Sequence, residues 1–167
     1  IRNNIQYNNM QMLENGYGIS LRTLTLFAER LYPDMEPMKA ALKAISVILF
    51  KLEGQIISRH PEYNMDNRLL LDKIDYKRGK LILNGKEYSL TDSYFPTIDP
   101  KDPYNLTDEE QDLIRRLRYS FVNSEKLRKH MRCLFSYGSI YLVRNSNLLY
   151  HASIPLNADG SFKEITI

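Results

Sequence analysis

Residues 35–58 read MEPMKAALKAISVILFKLEGQIIS and form the longest periodic segment of the chain. Apolar side chains recur in this segment at steps of three and four residues, which is the spacing of one helix face. They are Met38, Ala41, Leu42, Ile45, Ile48, Leu49, Leu52 and Ile56. Val47, Phe50 and Ile57 widen the face, so the segment predicts a long helix that is buried on more than one side.

Shorter helices are predicted on both sides of this segment. A helix over residues 1–14 ends at the turn-forming pair Asn15-Gly16, and Ser20 is placed to cap a second helix that Pro33 stops. A short helix is predicted over residues 67–72. Thr107 and Glu110 have the spacing of a capping box, which predicts a helix from there to about residue 121. A last helix is predicted through residue 135, with Leu127, Met131 and Leu134 facing inward.

Two β-hairpins complete the predicted elements. The first pairs residues 80–83 with 86–90 around Asn84-Gly85, a strong signal for a tight hairpin turn. The second pairs residues 139–144 with 148–154 around residues 145–147. Residues 91–105 carry three prolines and no period, so they are expected to connect elements. Helices and short antiparallel strands together predict an α+β fold.

Composition excludes several classes of protein. The 167 residues are 43% apolar and 26% charged, which is ordinary for one folded domain. A net charge of +3 without a basic stripe gives little support to nucleic-acid binding. No apolar run approaches the roughly 18 residues of a membrane span. A single cysteine fits a reducing compartment, so a cytoplasmic location is expected. The start at Ile1, without Met, suggests a piece of a longer protein.

No complete catalytic site is visible in the sequence. His60, His130 and His151 lack a second ligand at metal-binding spacing, and no glycine-rich phosphate loop is present. Cys133 stands in an apolar run and is expected to be an inert buried thiol. Seven cations flank two adjacent predicted helices and could face a phosphorylated ligand or form a solvated outer surface: Arg115, Arg116, Arg118, Lys126, Arg128, Lys129 and Arg132.

Several longer segments resemble one enzyme family in the same order. They are ENGYGISLR at 14–22, FPTIDP at 95–100, SFVNSEKL at 120–127, GSIYLV at 138–143 and NLLYHASIPLN at 147–157. These segments resemble the class III fructose-1,6-bisphosphatases of bacteria, which belong to the calcineurin-like metallophosphoesterases. The resemblance spans essentially the whole chain.

The resemblance implies an α+β cap or insertion over residues 1–136, with a small hairpin at 80–90. Residues 137–167 would form a hairpin of the metallophosphoesterase β-sandwich core. The family hydrolyses fructose 1,6-bisphosphate to fructose 6-phosphate and phosphate, a step of gluconeogenesis, with two divalent metals, usually manganese. Two such metals clamp the phosphate and supply the attacking hydroxide.

The resemblance also implies which residues of this chain take part. Of the family's metal-ligand segments only one has a counterpart here, and it carries His151. The Asp-x-His, Gly-Asp-x-x-Asp-Arg and Gly-Asn-His motifs are absent from the sequence. The chain is therefore expected to be an internal fragment that is inactive alone and does not hold the metals by itself. For the second phosphate of the substrate, the candidates are cationic: Arg22, Lys126, Arg128, Lys129 and Arg132.

Two other functions stay open from the sequence. The helical faces around Leu24, Ile48 and Leu117 could serve a non-catalytic binding or oligomerisation module, and a homo-oligomer is one form of it. Alternatively, an enzyme of the same architecture could act on another sugar bisphosphate. Neither nucleic acid nor a membrane is an expected partner.

Overall fold

The computed structural model describes residues 9–139, 141–150 and 155–164. The chain divides into two compact units, the first ending at Ser124 and the second beginning at Glu125. Helices and antiparallel strands occur in both, which confirms the predicted α+β class. The predicted division into a cap over 1–136 and a core hairpin over 137–167 stays a prediction.

The first unit is built around a long helix. The unit contains a π-helical turn at Met12–Gly16 and helices α1 (Arg22–Leu31), α2 (Pro37–Arg59) and α3 (Asp108–Asn123), and α2 is the long helix. Helix α2 begins where Glu36 accepts a hydrogen bond from the Met38 amide at 3.0 Å, with proline at the favoured first position. The predicted long helix is confirmed.

The buried face of α2 differs in part from the predicted one. Leu49 and Ile56 are 62% and 47% exposed, whereas small residues carry much of the buried face. Its members are Ala40, Ala41, Ala44, Val47, Ile48, Lys51, Gly54 and Ile57. Alanine and glycine let a neighbouring backbone or ring approach closely, so the contact runs along them instead of along the largest side chains.

Helices α1 and α3 pack on this unit's core. A side-chain cap is present at the start of α3, whereas Leu21 provides none at the start of α1. Helix α1 begins one residue later than predicted, with Leu21 at the cap position, and the Ser20 hydroxyl accepts a hydrogen bond from the Arg22 amide at 3.3 Å. It ends at Leu31, just before the proline that was predicted to stop it. The capping box of α3 between Thr107 and Glu110 is confirmed in both directions.

A three-stranded antiparallel sheet lies beside the helices. It has the order β1 (Ile74–Asp75), β2 (Lys80–Leu83) and β3 (Lys86–Ser89), with Leu81 opposite Tyr88. The predicted first hairpin is confirmed, and the two-residue strand β1 was not predicted. The predicted helix at 67–72 is wrong: two 3₁₀ turns, Asp66–Arg68 and Leu71–Lys73, stand there, separated by extended Leu69.

The connection over residues 91–105 forms no helix or strand of the named elements, as predicted, yet it is part of the core. Ile98 is 8% exposed and belongs to one buried cluster with Val47 and Leu71. Phe95 and Tyr104 pack against the same cluster. The connection is therefore held by apolar contacts with α2 and with the second 3₁₀ turn.

The second unit contains α4 (Glu125–Tyr137), β4 (Tyr141–Arg144) and β5 (Asn147–Tyr150). The second hairpin is confirmed, with Tyr141 opposite Tyr150, while part of the predicted strand at 151–154 lies outside the described residues. No residue of α4 is buried, so the predicted inward face is wrong. Cys133 is exposed, which corrects its predicted burial. On the apolar side of α4, Met131, Leu134 and Phe135 are 40%, 63% and 84% exposed.

The two hairpin turns offer a matched test of local strain. Asn145 and Ser146 have φ values of 49° and 62°, and the first hairpin has Asn84 at 50° and Gly85 at 73°. Left-handed backbone is costly for serine and free for glycine. We expect Ser146→Gly to stabilise its hairpin by about 1 kcal/mol, and Gly85→Ser to destabilise the other by a similar amount. Amide hydrogen exchange of the strands measures both, and equal signs for the two substitutions would contradict the explanation.

None of the described helices is long and apolar enough to cross a membrane.

Candidate functional site

Helix α4 carries a cluster of exposed cations. Four of the five predicted phosphate-binding residues lie on it: Lys126, Arg128, Lys129 and Arg132. At 3.6 residues per turn they span about 160° of the helix circumference. The apolar side chains Leu127, Met131, Leu134 and Phe135 take the opposite side. The cations therefore form one continuous basic face, which we call the basic face of α4.

One carboxylate lies within the basic face. Oε1 of Glu125 forms an ion pair with Nζ of Lys129 at 2.9 Å, and both side chains are 71% exposed. An exposed pair of this kind contributes little energy and is easily exchanged for another anion. Lys129 can thus receive another anionic group at small cost in broken contacts.

The fifth candidate, Arg22, belongs to the first unit. It is the first residue of α1 and is exposed. Two of the other cations of the predicted cluster, Arg115 and Arg116 on α3, both pair with Asp112. The structure therefore brings together the four candidates on α4 and leaves Arg22 in a different unit.

The metal prediction falls on a residue that the structure does not describe. His151 lies within 151–154, outside the described residues. Among the residues that are described, no group of three His, Cys, Asp or Glu side chains is placed to hold a metal ion.

Of the other two histidines, one follows the end of a helix and one lies within a helix. His60 ends α2, as predicted, and its Nδ1 lies 2.8 Å from Oε1 of Glu62 while its ring stacks on Tyr63 at 4.8 Å between centroids. The hydrogen bond from His60 holds the pKa of Glu62 below its usual value. His130 is exposed on α4.

A buried ion pair joins α2, α3 and the connection between them. Lys51 Nζ donates to Oε2 of Glu110 at 2.7 Å and to the carbonyl of Thr97 at 2.6 Å. The side chains of Lys51 and Glu110 are 0% and 1% exposed. The same Glu110 oxygen accepts from the Thr107 amide at 2.9 Å in the capping box. One carboxylate thus fixes both the start of α3 and its contact with α2.

A second lysine of α2 lies among aromatic rings. Lys43 Nζ is 2.5 Å from Oδ2 of Asp92 and lies 4.5, 5.1 and 5.8 Å from the ring centroids of Tyr32, Phe95 and Tyr94. Such distances allow cation–π attraction. The contacts attach the beginning of the 91–105 connection to α2.

The Lys43–Asp92 pair makes stability depend on pH in the acid range. The hydrogen bond from Lys43 lowers the pKa of Asp92. A carboxyl group with a lowered pKa stabilises the fold above its unfolded pKa, and this contribution is lost as the pH falls through the folded value. We expect stability to decrease below about pH 4. Asp92→Asn should remove part of that decrease in urea denaturation at a series of pH values, and an unaltered acid dependence would contradict this role.

Two ion pairs of the first unit were not predicted from the sequence. Lys51 follows Val47 and Ile48 on the buried face of α2, so a lysine in an apolar stripe was an available signal. Its partner could not be identified, because Glu110 lies 59 residues away and already had a local role as a cap. No local pattern placed Asp92 beside Lys43.

Comparison with known proteins assigns the family. The sequence model of Firmicute fructose-1,6-bisphosphatase matches residues 1–167. A fructose-1,6-bisphosphatase class 3 of Bacteroides thetaiotaomicron is 53% identical over 188 aligned positions, which cover 100% of this chain and 28% of the relative. Relatives of the same description from Clostridium beijerinckii and Clostridium acetobutylicum are 52% and 48% identical and also 28% covered.

These matches define a bacterial phosphatase family, the class that the resembling segments indicated. The chain belongs to the Firmicute fructose-1,6-bisphosphatase family. It spans 28% of the length of the curated relatives it matches. No solved structure matches it.

Proposed function

We propose that this chain is part of a hydrolase that converts fructose 1,6-bisphosphate to fructose 6-phosphate and phosphate. The observation that carries the proposal is the match of the whole chain to the family model, with curated relatives at 48–53% identity. The reaction would be the gluconeogenic step of carbohydrate metabolism, and the enzyme would work in the cytoplasm. A homo-oligomer is compatible with this proposal.

The proposed enzyme is a metal-dependent phosphoric monoester hydrolase that uses manganese. We propose His151 as one ligand, since imidazole nitrogen suits manganese and the segment around it resembles a ligand segment of the family. The remaining donors of the proposed site would belong to the family's other ligand segments, whose motifs are absent from this sequence.

The basic face of α4 is the proposed binding surface for the phosphate that is not hydrolysed. Its support is the grouping of Lys126, Arg128, Lys129 and Arg132 on one exposed helix side. Lysine and arginine form charge-assisted hydrogen bonds with phosphate oxygens. Arg22 is retained as a further candidate because it is exposed at the start of α1.

Phosphate release from fructose 1,6-bisphosphate tests the proposed activity. A malachite-green assay with manganese compares the full-length polypeptide with the 167-residue chain. The full-length polypeptide is expected to release phosphate and the 167-residue chain to release none. A panel of other sugar bisphosphates tests the substrate, and an equal or higher kcat/KM on one of them would overturn the assignment to fructose 1,6-bisphosphate.

The metal ligand is tested by His151→Ala in the full-length polypeptide. We expect the variant to lose bound manganese and turnover together, since removing a ligand weakens the metal site directly. His60→Ala is the matched control, because this half-exposed histidine contacts Glu62 and Tyr63 and is expected to leave manganese content unchanged. Equal manganese content in both variants would remove His151 from the site.

Charge reversal tests the basic face of α4. Arg128→Glu in the full-length polypeptide is expected to raise KM about tenfold to a hundredfold, because a charge-assisted hydrogen bond contributes about 1.5 to 3 kcal/mol. Lys86→Glu is the control, since Lys86 is an exposed cation on β3 of the first unit. An unchanged KM for Arg128→Glu would exclude that residue from substrate binding.

A further inference from the structure

The turn between β2 and β3 presents an asparagine followed by a glycine to solvent. Asn84 and Gly85 are both exposed and lie between Leu83 and Lys86, the last paired residues of the two strands. The Gly85 amide is therefore outside the hydrogen-bonded ladder. Its nitrogen is a potential nucleophile, and the side-chain carbonyl carbon Cγ of Asn84 is an electrophile. A bond between these two atoms closes a five-membered ring.

Glycine leaves the approach to this ring uncrowded. Gly85 has a φ of 73°, and among the described residues beyond its chain neighbours no atom lies within 4 Å of the place that a Cβ would take. A side chain on the residue after asparagine crowds the attacking nitrogen, and glycine has none. Neighbouring elements therefore do not block the reaction between Gly85 and Asn84.

The turn can leave its folded conformation at small cost. Ring closure requires a rotation of the Asn84 backbone, which the paired strands restrain. Strand β3 lies at the edge of the sheet, pairs with β2 over four residues and is exposed along its whole length, Lys86–Ser89. Elements with few buried contacts open locally more often than the core does. We expect this end of the hairpin to open while the core of the unit stays folded.

We propose that Asn84 is a site of spontaneous deamidation through a cyclic imide. The Gly85 nitrogen forms a bond to Cγ of Asn84, the bond from Cγ to the side-chain nitrogen breaks, and ammonia leaves with the proton of the Gly85 amide. Water then opens the ring. Cleavage between Cγ and the Gly85 nitrogen gives aspartate, and cleavage between the backbone carbonyl carbon and that nitrogen gives isoaspartate. Because water is the only co-reactant, the proposal does not rest on the proposed phosphatase activity.

A second Asn-Gly pair of the chain is held by helical contacts. Asn15 and Gly16 belong to the π-helical turn Met12–Gly16, and Nδ2 of Asn15 donates to Oε1 of Gln11 at 2.7 Å. This hydrogen bond and the helical backbone must be disrupted before a ring can close. The need to break one hydrogen bond slows a reaction by up to about tenfold. With the helical turn added, we expect Asn15 to react at least about tenfold more slowly than Asn84.

The second hairpin supplies a matched turn without glycine. Asn145 and Ser146 have φ values of 49° and 62°, close to the 50° and 73° of Asn84 and Gly85. The attacking nitrogen here would belong to serine, whose side chain crowds its approach to Cγ. Asn145 should therefore react slowly, and Ser146→Gly should convert it into a second fast site.

The two products are expected to affect the sheet differently. Aspartate before glycine is a common sequence in a two-residue hairpin turn, so the aspartate product keeps the hairpin. Isoaspartate adds a methylene group to the main chain between Leu83 and Gly85, which disrupts the two-residue turn. Amide hydrogen exchange of β2 and β3 should be faster in the isoaspartate product alone, and equal protection in both products would contradict this effect.

Peptide mapping by mass spectrometry, after incubation of the folded full-length polypeptide at mildly alkaline pH, tests the site. We expect the peptide that contains Asn84 to lose ammonia first and to yield both aspartate and isoaspartate. Asn84→Asp is the control, because it cannot deamidate at this position and it marks the aspartate product. The same incubation in urea removes the folded structure, so Asn15 and Asn84 should then react at similar rates.

Three results would overturn the proposal. The first is the absence of deamidation at Asn84 in the folded protein. The second is a folded-state rate at Asn15 that equals or exceeds the rate at Asn84. The third is an Asn145 that stays slow in the Ser146→Gly variant, since glycine after asparagine would then not be the cause.

Discussion

Replacing Lys51 with methionine is expected to lower the free energy of unfolding by about 3 to 5 kcal/mol, the cost of breaking a buried ion pair on one side. The substitution removes the donor to Glu110 Oε2 and to the Thr97 carbonyl, and both lysine and glutamate are at most 1% exposed. The carboxylate would remain buried without its counter-charge. Urea denaturation of the 167-residue chain measures the loss.

A second variant separates the charge from the packing. In Lys51→Met with Glu110→Gln both charges are gone, and glutamine keeps the acceptor that the capping box requires at this position. The double variant should therefore be more stable than Lys51→Met alone. Lys129→Met is the control for an exposed pair on α4 and should change stability by less than about 1 kcal/mol. Equal losses for Lys51→Met and Lys129→Met would refute the role of the buried pair.

Gly54→Ala is expected to destabilise the protein by about 1 to 3 kcal/mol, as overpacking of a core does. In an ordinary helix the same substitution stabilises by about 1 kcal/mol. Here a Cβ atom on Gly54 would lie 2.0 Å from Cδ1 of Tyr104. The ring of Tyr104 cannot move without cost, because its hydroxyl donates to Asp72 at 2.7 Å. The backbone of Tyr104 is also held, since its carbonyl accepts from the Gln55 side chain at 2.8 Å.

The cause of this loss is tested in a background without the ring. When Tyr104 is replaced by alanine, adding Gly54→Ala should no longer destabilise and should show the ordinary gain in helix propensity. Thermal and urea unfolding of the four proteins give the coupling energy between the two positions. Gly16→Ala is a control, since its added Cβ would meet only Met12 at 3.4 Å. A loss in Gly54→Ala that persists without Tyr104 would contradict the steric explanation.

Local signals predicted much of the first unit. Four local signals are confirmed by the structure. They are the period of α2, the proline after α1, the capping box of Thr107 and Glu110, and the Asn84-Gly85 turn. The helix predicted at 67–72 does not form. Leu69 is extended, and Leu71 is buried in the cluster with Val47 and Ile98. Tertiary contacts outweighed a weak local preference there.

Burial was less predictable than secondary structure. Leu49 has the period of a buried residue and is 62% exposed, while Lys51 has the chemistry of a surface residue and is fully buried. The exposed Cys133 follows the same pattern, since an apolar neighbourhood in the sequence becomes buried only where another element covers it. Periodicity identifies a helix face but does not identify what packs on it.

Some features of this chain can be predicted from the local sequence, and others depend on how its elements pack. The family resemblance, the α+β class and the identity of the cations that the structure groups on α4 could be predicted from the sequence, because segments of neighbouring residues carry them. The contacts of Lys51 with Glu110 and of Lys43 with Asp92 are seen in the folded structure and could not be predicted, since the partners are 59 and 49 residues apart. Such pairings depend on how elements pack, and packing energy is summed over contacts that no local pattern contains.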